Sequence, residues 1–394
     1  MKKATHQQTK EHNSNLVLAT IFEHSSVSRA EIARITSLTR TTVSDIVADL
    51  IAEGLVQEIG LGPSLGGKSP ILLSLVEDAR FLIGLDLGRT EFNGAVVNLR
   101  GQIKKRSRVA VNGFSGEQAL GAVYDLLDDL LAGDLEPVVG IGVGVPGLVN
   151  TAEGTVVTTV NFDWQNLPLE FLLQEKYNLP IYILNDSQLA AMGEFLYGAV
   201  YGEDENLIVV NVRHGIGAGI IINGSLFQGD GGAAGEIGHI NAVQEGGIPC
   251  SCGNRGCLET VASAQAIMRR AHLLSGWDQA VTLEGIERAF FEGDVGARQL
   301  VLEAGKYLGI AIGSLSGTLN IQTIVLSGEL TDFGSEWLDA IREGVAHSVL
   351  PKLGRQCQVE IGKLGRDGVI LGASAVMLKD YSLLRQHELA ASAG

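Results

Sequence analysis

FLIGLDLGRTEFNGAVV (residues 81–97) and LIVVNVRHGIGAGIII (residues 207–222) are two versions of one pattern. Each is an apolar strand, a turn containing glycine, and a second strand that returns beside the first. Phe81 to Thr90 runs into its turn and Glu91 to Val97 comes back. Leu207 to Asn211 turns at His214-Gly215-Ile216-Gly217, and Ala218 to Ile222 comes back. Strand and helix units follow each hairpin. Val138 to Val145 ends in Pro146-Gly147, and Ile181 to Leu184 ends at Asn185-Asp186 before a helix from Ser187 to Phe195. Thr323 to Gly328 is the last prominent strand. Two such sets predict two related α/β lobes with a cleft between them.

Within the second set, His239 is followed by Cys250, Cys252 and Cys257, three of the four cysteines in the 394-residue chain. Imidazole and thiolate are the ligands that Zn2+ prefers, and one His with three Cys fills a tetrahedral structural site with no position left for chemistry. The plainer alternative is a group of buried free thiols. Cys357 then stands alone, so no disulfide framework is expected and a reducing, cytoplasmic setting fits best. The opening MKKATHQQTKEHNSN is polar after its two lysines, and no apolar run approaches the roughly 18 residues that span a bilayer. Neither export nor membrane insertion is expected.

The net charge of −16 argues against broad nucleic-acid binding, but the charge is unevenly spread. Residues 1–70 carry seven Lys and Arg against seven Asp and Glu, so all the excess acid lies in residues 71–394. The neutral head reads as short amphipathic helices. The first runs from about Asn15 to His24, with Leu16, Ala19 and Thr20 near one face. A Ser-x-x-Glu capping box at Ser28 and Glu31 starts the second. Ser37 and Thr39 precede a third that turns Val43, Ile46, Val47, Leu50 and Ile51 inward, and Gly54 stops it. Two helices across a short polar turn, then strands Leu55 to Ile59 and Ile71 to Leu75 around a loop, describe a winged helix-turn-helix. Thr39, Arg40, Thr41, Thr42 and Ser44 on the recognition helix, with Lys68 on the wing, are the residues expected to meet DNA. A protein-docking module of three helices is the competing reading of this pattern.

At these residues the chain resembles the ROK family (repressors, open reading frames and kinases), with the actin-like, ribonuclease H-like sugar kinase fold. The most specific segments are GIGAGIIINGSLFQGDGGAAGEIGHI (215–240) and CSCGNRGCLE (250–259). The winged head is similar to that of the family's sugar-responsive regulators. The resemblance implies a DNA-binding domain over 1–78 and a first lobe over 79–190, completed by a C-terminal helix at 370–390. A second lobe over 191–369 would carry the zinc site and a dimerisation surface. It also implies a sugar in the cleft against Gly144, Pro146, Asn161, Asn185, Asp186, Glu236, His239 and Glu259, with Asp186 standing where the family kinases keep their general base. Carboxylates and amides suit a polyhydroxylated ring, because every buried hydroxyl needs a partner. Read singly, Asp186 is a helix cap and the two glutamates are solvated loop acids.

The kinase pattern Asp-x-Gly-Gly-Thr-Lys becomes Asp86-Leu87-Gly88-Arg89-Thr90-Glu91. A Gly-Thr-Gly becomes Arg213-His214-Gly215, and a late Gly-Gly-Gly becomes Ser327-Gly328-Glu329. Each departure adds bulk or charge where phosphates would lie. The expectation is therefore a sugar-responsive repressor with structural Zn2+, no ATP and no enzymatic activity. It would act as a homodimer, or a tetramer, on a DNA operator whose half-sites lie about 34 Å or a multiple apart. The competing expectation is an ATP-dependent sugar kinase with a regulatory head, with Asp186 as its base.

Overall fold

The computed structural model describes residues 6–63, 69–159, 161–198, 205–273, 281–378 and 384. The head comprises α1 (His6–Glu23), β1 (Val27–Ser28), α2 (Arg29–Thr36), α3 (Arg40–Ala52), β2 (Val56–Leu61) and β3 (Ile71–Leu75), with the strands in the order β1-β3-β2. The capping box is formed: Glu31 N–H donates to Ser28 Oγ (3.3 Å), and Ser28 N–H donates to Glu31 Oε2 (2.8 Å). Thr39 Oγ1 accepts from Thr42 N–H (3.1 Å) at the start of α3. Val43, Ile46, Val47 and Leu50 are buried as expected, whereas Ile51 is 36% exposed. Ile51 directly follows Leu50, and one residue rotates a helix by about 100°, which carries it off the buried stripe. In α1 the buried residues include Val17, Leu18 and Ile21, and Leu16 and Ala19 sit at the edge of that stripe.

The first lobe contains β4 (Phe81–Leu87), β5 (Glu91–Asn98), β6 (Ile103–Ala110), α4 (Gly116–Leu131), β7 (Val138–Val145), β8 (Leu148–Asn150), β9 (Thr155–Thr158), β10 (Gln165–Leu167), α5 (Leu169–Tyr177), β11 (Ile181–Asn185) and α6 (Asp186–Tyr197). The second contains β12 (Leu207–Val212), β13 (Ile216–Ile222), β14 (Ser225–Phe227), α7 (Glu259–Ala262), α8 (Ala264–Ala271), α9 (Leu283–Glu292), α10 (Val295–Leu319), β15 (Thr323–Ser327), α11 (Gly334–Ser348), α12 (Pro351–Gly354) and β16 (Gln358–Ile361), after which α13 (Gly368–Leu378) returns to the sheet of the first lobe.

The two main sheets repeat one topology. The first has the order β11-β7-β4-β5-β6 and the second β14-β13-β12-β15-β16. In each, three antiparallel strands adjoin two parallel ones. A smaller sheet, β10-β9-β8, extends the first lobe. The fold is a two-lobed α/β architecture behind a winged helical head. Among the described residues no helix is long and apolar enough to cross a membrane.

Helices α6 and α13 hold the lobes together through backbone contact. A Cβ on Gly372 would stand 1.7 Å from Leu189 O, and one on Gly193 would stand 2.4 Å from Gly368 O. Close approach of this kind admits only glycine. Helix α13 lies on β4 and β7 by the same means: Cβ atoms on Gly84 and Gly142 would stand 2.2 and 2.3 Å from Ile370 O and Ala373 O. Its described residues end at Leu378, and of the remaining C-terminal residues only Leu384 is described.

Candidate functional site

Strand β11 delivers Asn185 and Asp186 to the start of α6. Asn185 Oδ1 accepts from Ser187 and Gln188 N–H (2.9 and 3.3 Å), and its Nδ2 donates to Gly147 O (3.0 Å), fixing the turn after Pro146. Asp186 Oδ1 accepts from Ser187 N–H (2.7 Å) and from its hydroxyl (3.2 Å), leaving Oδ2 aimed elsewhere. Burial pushes the Asp186 carboxyl up to about 6, opposed by the Arg213 cation and assisted by the charge of Asp86.

Arg213 comes from the turn between β12 and β13 and reaches across to the first lobe. Its Nη1 lies 2.9 Å from Asp86 Oδ1 and 3.8 Å from Asp186 Oδ2. Asp86, which is 3% exposed, does most to hold this guanidinium charged, with Asp186 and Glu329 contributing. Arg89 contacts His214 across the same gap. Burial, with that cation beside it, lowers the His214 imidazole to about 4, so the ring is neutral at physiological pH. The Arg213 pairing was not legible in the sequence. The sequence marks Arg213 as a departure from Gly-Thr-Gly but gives no sign of its carboxylate partners.

The loop after β14 brings up the opposite wall. Glu236 Oε2 is 3.9 Å from His239 Nε2, and Glu259 Oε2 accepts from Ile216 N–H (3.3 Å). A Cβ on Gly215 would stand 2.5 Å from that Glu259 oxygen, so the glycine makes room for the carboxylate. Desolvation raises the Glu236 pKa, with Asp186 and Glu259 adding to the effect and His239 opposing it. Asp186, Glu236, His239 and Glu259 thus lie near enough to feel one another's charge. Gln188, which sequence reasoning did not single out, donates from Nε2 to Gly232 O (2.8 Å) and Ala234 O (3.3 Å), pinning this loop to α6. Gly144 is buried in β7, where a Cβ would stand 2.5 Å from Val369 Cγ1. Packing against α13 accounts for that glycine. Asn161 is half-buried between β9 and β10, and among the described residues no hydrogen bond ties it to the others.

His239, Cys250, Cys252 and Cys257 converge, with one ligand atom from each within 4.8 Å of all the others. Cys250 Sγ lies 3.6 Å from His239 Nδ1, and Cys252 Sγ lies 3.6 Å from Cys257 Sγ. Tetrahedral zinc with bonds of about 2.0–2.3 Å needs ligand edges of about 3.5–3.8 Å, so the donor set fits in kind and these two edges fit in size. His239 turns Nδ1 to the thiols and Nε2 to Glu236, so one ring lies between the cysteine cluster and that carboxylate.

In the head, Arg40, Thr41 and Ser44 are exposed on α3, and Thr42 is half-buried. Thr39 and Thr42 share a hydroxyl hydrogen bond of 2.8 Å. Lys68 lies outside the described residues.

The ROK family profile matches residues 82–380, and a winged helix-turn-helix DNA-binding profile matches residues 12–57. The chain belongs to the ROK family. The xylose repressor of Caldicellulosiruptor bescii is 33% identical over 391 residues, covering 95% of this chain and 97% of that protein. A solved ROK family transcriptional regulator, a homologue of the E. coli MLC protein, superposes with a TM-score of 0.83 at 25% identity, covering 96% of this chain and 98% of that one. A ROK family glucokinase from Streptomyces griseus, solved with glucose and AMPPNP, superposes with a TM-score of 0.68 at 28% identity, covering 75% and 98%. The chain is a sugar-responsive DNA-binding regulator of this family.

The glucokinase corrects two expectations. A chain without enzymatic activity and without ATP does not stand when nearly all of a kinase that holds both sugar and an ATP analogue matches the body of this ROK protein. On sequence alone the three altered loops add bulk and charge. In the folded chain the charge of Arg213 is compensated by Asp86 and Asp186, and both acids keep their places at the facing turns.

Proposed function

We propose that this regulator is a cytoplasmic repressor whose effector is D-xylose or a sugar of that class, held in the cleft by Asn185, Asp186, Glu236, His239 and Glu259. The full-length match to a xylose repressor, head and body together, carries this reading. Zinc on His239, Cys250, Cys252 and Cys257 braces the wall that presents Glu236 and Glu259. A homodimer sets two copies of α3 on operator half-sites, with Arg40, Thr41, Thr42 and Ser44 facing DNA. In gel shifts with DNA from upstream of its own coding sequence, D-xylose should weaken binding at least tenfold, while D-glucose and N-acetylglucosamine act weakly. An operator complex indifferent to D-xylose but released by another sugar would reassign the effector. No DNA binding under any condition would end the reading.

A second reading, phosphorylation of a sugar by ATP in the same cleft, is favoured by Asp186. Its carboxyl stands at the start of α6 with a pKa of about 6, a value suited to taking a proton from an attacking hydroxyl near neutral pH. A coupled ATP assay with pentoses and hexoses tests it.

A further inference from the structure

Arg80 is 8% exposed, an unusual position for a guanidinium, and it lies where head and body meet. Its donors go to backbone carbonyls from separate stretches of chain. Nη2 donates to Glu53 O (3.2 Å), Nε to Leu384 O (3.1 Å) and Nη1 to Ala79 O (2.6 Å). Glu53 is the C-cap of α3, so the cation sits at the negative end of the recognition helix. Leu384, fully buried, belongs to the C-terminal segment beyond α13.

The connection continues inward. Met377, Leu378 and Leu384 share one apolar core with Leu18, Ile46 and Leu50 of the head, so α13 and the winged helix are packed as a unit. Helix α13 in turn touches α6 backbone to backbone at Gly372 and Gly193. Glu194 of α6, fully buried, accepts from Lys363 N–H (3.2 Å) and Leu364 N–H (3.0 Å), fixing the approach to α13. The first residue of α6 is Asp186 in the cleft. A second arginine, Arg100, also joins body to head but holds α1 alone: it donates to Phe22 O and to His24 O (3.2 Å) and stacks over the Phe22 ring at 5.3 Å.

Burying a guanidinium costs several kcal/mol, and removing its partners leaves that cost uncompensated. We propose that Arg80 is the positioning residue that couples the cleft to the recognition helix, clasping the C-terminus of α3 to Leu384, which shares a core with the end of α13, so that a movement of α6 and α13 reaches the DNA-binding surface. The inference rests on the sugar-responsive reading above. Arg100 fixes where the head sits, and Arg80 transmits.

The test uses full-length Arg80→Met, Arg80→Lys and Arg100→Met, with operator affinity measured by fluorescence anisotropy with and without D-xylose. Arg80→Met should bind operator within about threefold of the parent while the ratio of affinities without and with sugar falls towards one, against a parental ratio of about ten or more. Arg80→Lys keeps the charge but not the planar fork, and should fall between. Arg100→Met should weaken operator binding and keep the parental ratio. An Arg80→Met protein with the parental ratio overturns the proposal, as does an Arg100→Met protein that loses the ratio equally.

Hydrogen exchange gives a readout that does not depend on the sugar. Amides of residues 50–55 should exchange at least about tenfold faster in Arg80→Met, or in Arg80→Lys if Arg80→Met does not fold, while those of β4 and β5 are unchanged. Equal exchange at 50–55 overturns the clasp. If the parent ignores D-xylose while exchange at 50–55 rises as stated, the effector assignment fails and the clasp stands.

Discussion

Cys257→Ala is expected to abolish zinc retention and to weaken D-xylose binding by at least about tenfold, equivalent to about 1.4 kcal/mol, while operator affinity in the absence of sugar changes by less than about threefold. Cys257 is 1% exposed, and its thiol is pushed up to about 12 by burial and by the neighbouring Cys252 and Cys250. A divalent cation at that point reverses the electrostatics and makes the thiolate the stable form. The effect on sugar follows from the chain path. Glu236 lies three residues before His239 and Glu259 two after Cys257, so the ligands fix both ends of the segment that carries the two carboxylates. The orientation of His239 adds to this, since metal on Nδ1 sets where Nε2 meets Glu236. Zinc content by elemental analysis and sugar affinity by calorimetry decide the matter. Unchanged xylose affinity in a metal-free protein would reduce the cluster to a brace for the local fold. Cys357→Ala, a cysteine outside the cluster, is the control that keeps both properties.

Much of this was legible because the deciding signals are local. The capping box at Ser28 and Glu31 and the cap at Thr39 depend on side chains three residues apart, and both formed as read. The duplicated hairpins were legible because both strands of each pair are apolar enough to be core. The clustering of His239 with three cysteines survived folding because their spacing leaves little freedom to separate. What failed to show depends on distant partners. The strand β6, Ile103-Lys104-Lys105-Arg106-Ser107-Arg108-Val109-Ala110, alternates half-buried and exposed residues, and its charges hide a period of two. The packing role of Gly144 shows only when Val369, of a helix more than two hundred residues later, is seen against it. Arg80 carries no motif at all, and Arg213 reads only as a departure from a Gly-Thr-Gly turn. Each is defined by carbonyls or carboxylates that only the tertiary fold brings near.

Asp186→Asn should abolish any ATP-dependent sugar phosphorylation and at the same time stabilise the sugar-free protein. The first effect, a loss of about 10²–10⁴-fold in kcat, follows from removing the only atom at the start of α6 able to take a proton from a substrate hydroxyl. The second follows from linkage. The carboxyl is raised by burial from 3.8 to about 6 in the folded chain, so the folded state holds its proton more tightly than the unfolded state does. Below pH 3.8 both states are protonated and the group costs nothing. Between 3.8 and 6 the unfolded chain gives up its proton first, and above 6 the folded chain bears the full cost of a buried charge, at most about 3 kcal/mol for a displacement of this size. Asparagine never ionises. The variant should therefore match the parent near pH 4 and exceed it by up to that amount at pH 7.5, read as a rise of several degrees in Tm that disappears as pH is lowered. Arg213 keeps its 2.9 Å partner Asp86 in the variant, so its own burial stays compensated. A variant less stable than the parent at pH 7.5 would mean that the Arg213 charge outweighs desolvation at this carboxyl. Turnover that survives the substitution would place the proton acceptor elsewhere in the cleft, with Glu236 the next carboxylate to replace.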